Sequence, residues 1–143
     1  MKKNFLLIFI LCMTIPSFSQ NIFGKWNSFN EETNKVESVI EVYEKDSKAF
    51  AKIISIKDPS RSSAKCVACS GKRKNAPILG MNILTGLNKD GNEWSGGKIL
   101  DPKNGKEYKC NIQLLDKNTL KLRGYIGFSV FGRTAIWKRA SEN

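Results

Sequence analysis

The sequence predicts an all-β protein: a single small antiparallel up-and-down β-barrel of about eight strands, with one long loop stapled by a disulfide. Three observations predict it. Apolar and polar residues alternate with period two over most of the chain. Amphipathic helical periodicity is hard to find. Turn-forming clusters of Asp, Asn, Gly, Pro and Lys separate the alternating runs at short intervals.

In chain order, a short strand is expected around Trp26. Runs at residues 37–44 and 49–56 follow, divided by Lys45-Asp46-Ser47-Lys48. Runs at 79–87 and 94–100 are divided by Asp90-Gly91-Asn92. Asp101-Pro102-Lys103-Asn104-Gly105 is the sharpest turn, with proline presetting φ and glycine free to turn left-handed. After it, Tyr108, Cys110, Ile112 and Leu114 share one face while Lys109, Asn111 and Gln113 share the other. Beyond Asp116-Lys117-Asn118 the same alternation places Leu120, Leu122, Gly124, Ile126 and Phe128 together. Residues 134–139 make the last strand. One apolar face and one polar face suit an antiparallel sheet that covers a core on one side.

Residues 57–75 break this rhythm. They hold Pro59, several serines, Cys66 and Cys69, and the basic residues Lys57, Arg61, Lys65, Lys72, Arg73 and Lys74 against Asp58 alone. The stretch reads as a long surface loop or lid. Its charge suits an anionic envelope component as partner (lipid headgroups, polysaccharide or an acidic protein), or simply keeps a loop solvated.

The first nineteen residues read as a signal peptide: Lys2 and Lys3, an apolar run over 5–15, then Pro16-Ser17-Phe18-Ser19 with small residues before the cut. That run is too short to span a bilayer. Cys12 raises lipid anchoring, but Leu11 before it is larger than that chemistry favours. Cleavage after Ser19 removes 19 of the 143 residues and leaves 124 in one domain, residues 20–143. Taking Lys2 and Lys3 from the 24 basic residues leaves 22 against 13 acidic ones, a net +9. The expected location is periplasmic or extracellular, with no membrane-spanning segment and no nucleic acid as physiological partner.

Catalytic chemistry is sparse. The chain has no histidine, which removes Ser-His-Asp and Cys-His nucleophiles, histidine metal ligands and histidine pH switches. Cys66 and Cys69 are the natural disulfide of an oxidising compartment; a redox pair or a metal site are the other readings, though neither a following helix nor four ligands are in view. Cys110 falls on an apolar strand face and reads as a buried thiol. The carboxylates Glu41, Glu44, Asp90, Glu93, Asp101, Glu107 and Asp116 lie in turns or on polar faces without convergence. Asp101 with Asn104 is turn chemistry before it is a calcium site. No catalytic residue, metal or cofactor is assigned.

Two sets of motifs carry a family resemblance. Gly24-Lys25-Trp26 near the start and Trp137-Lys138-Arg139 near the end look like the calycin barrels, the lipocalins and fatty-acid-binding proteins. That resemblance implies that Trp26 plugs one barrel end under a basic side chain, either Arg139 or Arg133. Over nearly all of the chain after the signal segment, the sequence resembles the bacterial exported family known as domain of unknown function 2147. Ile40-Glu41-Val42-Tyr43-Glu44, Cys66-Val67-Ala68-Cys69, Pro77-Ile78-Leu79-Gly80-Met81, Gly96-Gly97-Lys98-Ile99-Leu100-Asp101-Pro102 and Arg123-Gly124-Tyr125-Ile126-Gly127 carry it. It implies an exported single domain and transfers no activity to any residue.

The expected function is non-enzymatic binding of a small apolar or amphipathic ligand inside the barrel. Leu84, Tyr108, Ile112, Leu120 and Leu122 are the expected inward residues, with Trp94 and Phe128 as pocket aromatics. Two alternatives remain: a filled barrel that displays the basic loop to an anionic partner, and an envelope thiol–disulfide protein. Small barrels either fill their interiors or hold one ligand, and the residue pattern leaves that choice open.

Overall fold

The computed structural model describes residues 20–127 and 132–141. The expected signal segment with Cys12, and the expected pocket residue Phe128, lie outside the described residues. Eight strands follow one another: β1 (Gly24–Phe29), β2 (Val36–Lys45), β3 (Lys48–Ile56), β4 (Asn82–Asp90), β5 (Glu93–Asp101), β6 (Lys106–Asp116), β7 (Thr119–Tyr125) and β8 (Gly132–Arg139). Each pairs antiparallel with the next, and β8 returns to β1 to close the barrel. The all-β, up-and-down architecture expected from the alternation is the one observed.

The alternation determines which side chains turn inward. On β2 the buried residues are Ser38, Ile40 and Val42, and on β3 they are Ala49, Ala51 and Ile53. Cys110 and Ile112 do the same on β6, and Leu120 and Leu122 on β7. Turn chemistry fixes the register between them. Asp46 and Ser47 both take positive φ, 51° and 60°, the hand that matches the twist of a two-residue hairpin. Asp116 Oδ1 accepts a bond from the Asn118 amide at 2.8 Å. That bond, followed by one from the Thr119 hydroxyl, holds the Asp116 carboxyl below its ordinary value.

Two strand ends differ from the expectation. β4 begins at Asn82 rather than at residue 79, because Gly80 turns the chain with φ of +86°. Its amide bonds Ile53 O at 2.7 Å, and Leu79 is left exposed. β7 ends at Tyr125, with Ile126 67% exposed and Gly127 at φ +71°, so Ile126 does not extend the inward row. The long connection between β3 and β4 contains two single 3-10 turns, Pro59–Arg61 and Gly71–Arg73.

The barrel interior is packed at one end. Trp26, Leu84, Leu87, Ile112 and Leu120 are wholly buried there. Each such side chain contributes roughly 1.5–3 kcal/mol by leaving water. Gly97 permits this density: a Cβ on it would stand 2.3 Å from Thr85 O and 2.8 Å from Leu87 Cδ2.

Candidate functional site: the barrel cavity

The packed end is built around Trp26. Its indole Nε1 donates to Ile22 O at 2.8 Å, so the one polar atom of the ring is satisfied inside the plug. The Arg139 guanidinium lies 4.2 Å from the centre of the same ring. From there it donates to Phe23 O (3.0 Å), Asn21 O (2.9 Å) and Lys117 O (2.6 Å). Desolvation lowers the Arg139 pKa from its usual value. Of the two candidate arginines, Arg139 therefore sits over the tryptophan. Arg133 is at the other end of β8, ion-paired with Glu31. Trp94 packs edge-on against Phe23 at 5.5 Å.

Above the plug the barrel is hollow. A cavity of about 770 Å³ opens toward the end where the β3–β4 connection lies. Its walls are apolar, formed by Ile40, Ile53, Ile83, Ile99, Leu122 and Trp137 among others. Polar side chains interrupt them, among them Ser28 and Ser38, whose hydroxyls share a hydrogen bond of 2.6 Å. Charge is kept to the rim. There Glu37 Oε1 takes Lys103 Nζ at 2.9 Å and Arg61 NH1 at 3.8 Å. Asn104 Nδ2 donates to Tyr108 OH at 3.0 Å beside them. A volume of this size with apolar walls and few polar groups is typical of small-molecule sites.

The structure separates the expected pocket residues by height along the barrel. Tyr108 and Leu122 line the cavity. Leu84, Ile112 and Leu120 also point inward, but they belong to the packed end and do not line the cavity. Trp94 stays with Phe23 at that same end. The isoleucine row of Ile40, Ile53, Ile83 and Ile99 was not singled out from sequence. Alternation marks it as inward-facing, and β-branched residues at those positions were the available signal.

The β3–β4 connection forms part of the cavity wall. Arg61, Ala64 and Ile78 from it face the cavity. The segment folds on itself: Lys65 and Pro77 form a bridge, Cys66 N bonds Ala76 O at 2.9 Å, and Ile78 N bonds Ala64 O at 3.0 Å. Cys66 and Cys69 are joined by a disulfide, and both are buried. The turn after β5 seats it. A Cβ on Gly105 would come 2.0 Å from Ala68 O and 2.7 Å from Cys69 N, so only glycine fits there.

The basic residues of this lid do not form one free patch. Arg61 pairs with Glu37, Arg73 with Glu107 at 2.6 Å, and Lys74 Nζ bonds Val67 O. Lys57, Lys65 and Lys72 are exposed. Asp101 Oδ1 and Asn104 Oδ1 each accept a backbone amide two residues on, at 2.9 Å. Their side chains thus build the turn. Cys110 is a free thiol, buried in the barrel wall, and desolvation pushes its pKa up to about 12.

An eight-stranded antiparallel barrel, plugged by a tryptophan under an arginine at one end and hollow at the other, is a calycin-like barrel. The chain belongs to the family described as uncharacterized protein conserved in bacteria (DUF2147), whose model matches residues 24–139. Among solved structures it is similar to protein HP1028 from the human pathogen Helicobacter pylori, described as belonging to the lipocalin family. That match has a TM-score of 0.75 and 25% identity, and covers 85% of this chain and 84% of that one. No curated protein matches the chain. Among the described residues, no helix is long and apolar enough to cross a membrane.

Proposed function

We propose that the protein is an exported, non-enzymatic carrier that holds one small amphipathic molecule in its barrel. The observation that carries this reading is the cavity of about 770 Å³, apolar along its walls and charged only at its rim. An apolar chain laid against Ile40, Ile53 and Ile99 gains roughly 25 cal/mol for each Å² removed from water. A polar head remains at the level of Glu37, Lys103 and Arg61, where hydrogen bonds and water are available. The reading draws further support from the similarity to a lipocalin-family structure. The two alternatives draw less: three of the six basic lid residues already have partners within the protein, and the sulfurs of the disulfide are shielded.

The test is to purify the protein from its native envelope under mild conditions and to identify extracted small molecules by mass spectrometry. A co-purifying amphiphile near one per protein is the expected result. An empty protein that also fails to take up a fluorescent polyene fatty acid would overturn the reading.

A further inference from the structure

The barrel wall is not equally closed around its circumference. Seven of its eight strand junctions join strands consecutive in sequence, but β8 and β1 pair only through Trp26↔Arg139 and Asn27↔Lys138, extended by one bond from Ala140 N to Lys25 O at 2.9 Å. Both of those pairs lie at the packed end. Toward the cavity end, Ser28 and Phe29 of β1 have no partner on β8, and Gly132 to Trp137 of β8 pair with β7 alone. Two strands that part in this way leave a slot running along the strand direction, bordered by unpaired backbone on both sides.

The cavity reaches that slot. Both edges of the seam line the cavity: Ser28, Phe29 and Asn30 on one side, and Gly132 through Ala135 on the other. The other thinly paired junction, β3 with β4, is sealed at its cavity end by the lid. There Gly80 N bonds Ile53 O at 2.7 Å and Ile53 N bonds Met81 O at 3.0 Å. No such seal lies across the β1–β8 slot among the described residues. The Arg133–Glu31 ion pair crosses it, its members 74% and 68% exposed.

We propose that a single-chain amphiphile enters and leaves the cavity sideways through the β1–β8 seam, with the Glu31–Arg133 pair as its latch. The inference rests on the carrier reading above and adds a route and a ligand shape. A slot parallel to the strands admits an extended chain lengthwise. The headgroup then needs to travel only along the rim, never through the apolar interior. The lid, clamped by its disulfide and by the turn at Gly105, need not open.

The experiment measures exchange of a fluorescent polyene fatty acid by stopped flow. Glu31→Cys and Arg133→Cys are introduced together and bridged by a short bis-maleimide after the cavity has been loaded. The native thiols do not compete, because Cys110 is buried and Cys66 and Cys69 are bonded to each other. Bridging is expected to slow release by at least about tenfold relative to the same variant capped with a monofunctional maleimide, as for other gated sites. Arg133→Gln is expected to speed both uptake and release by about two- to fivefold, the scale of an exposed ion pair. Release from the bridged protein at the rate of the capped control would overturn the seam as the route while leaving the carrier reading intact. If the unmodified protein takes up no probe, the carrier reading fails, and the route fails with it.

Discussion

Arg139 shows how one side chain can join parts of a barrel that are far apart in sequence. It binds carbonyls of Asn21, Phe23 and Lys117 and covers Trp26. A lysine keeps the charge but has neither the planar face nor the fork needed for three acceptors. Arg139→Lys should therefore cost about 2 kcal/mol, read as a lowered urea midpoint with an unchanged slope. Cys110 gives a pH signature at the same scale. Burial holds its pKa near 12 in the folded chain, above the ordinary thiol value of 9.0. The folded state therefore favours the neutral thiol, and that stabilisation is complete below pH 9. It fades as pH rises from about 9 toward 12, because the unfolded chain ionises first. The stability difference between wild type and Cys110→Ala should shrink across that window, measured by denaturation at stepped pH.

The lid poses the question at the scale of an element. Its disulfide closes only a four-residue ring, so chain entropy alone gives it roughly 2 kcal/mol of stabilisation. Its effect should be local, through the seating of Cys66 and Cys69 against the Gly105 turn. Replacing both with alanine should raise hydrogen exchange over residues 64–78 by more than it raises exchange in β6 and β7. Uniform acceleration across the barrel would argue against this. The lid was also the element least legible in the sequence. β6 and β7 announce themselves by strict alternation, and the Asp101 turn by its residues. The apolar run at 79–81 resembles a strand start, yet Gly80 diverts it into the lid wall, where Ile78 reaches the cavity. The basic content of residues 57–74 stands out in sequence, but partners such as Glu37 and Glu107 lie on strands, and such pairings appear only in three dimensions.

For the whole molecule, the decisive division is between a filled half and a hollow half. Period two separates inside from outside but says nothing about height along the barrel axis. That is why Leu122 and Tyr108 line the cavity while Ile112 and Leu120, on the same strands, do not. A hollow half also predicts an asymmetric response to enlargement. Ala135→Trp, placed in the cavity wall, should abolish fatty-acid probe uptake while costing less than about 1 kcal/mol of stability, because the added ring fills space rather than displacing neighbours. A comparable enlargement at Ala49, wholly buried in the packed half, should destabilise by more. The single non-sequential junction carries one more consequence. Seven junctions form between strands that neighbour each other in the chain, whereas Trp26 must find Arg139 across 113 positions. Closing so large a loop carries the largest entropic cost of any junction in the molecule. Ring closure is thus the natural late step of folding, and the Trp26–Arg139 clasp is the contact that turns an open meander into a barrel.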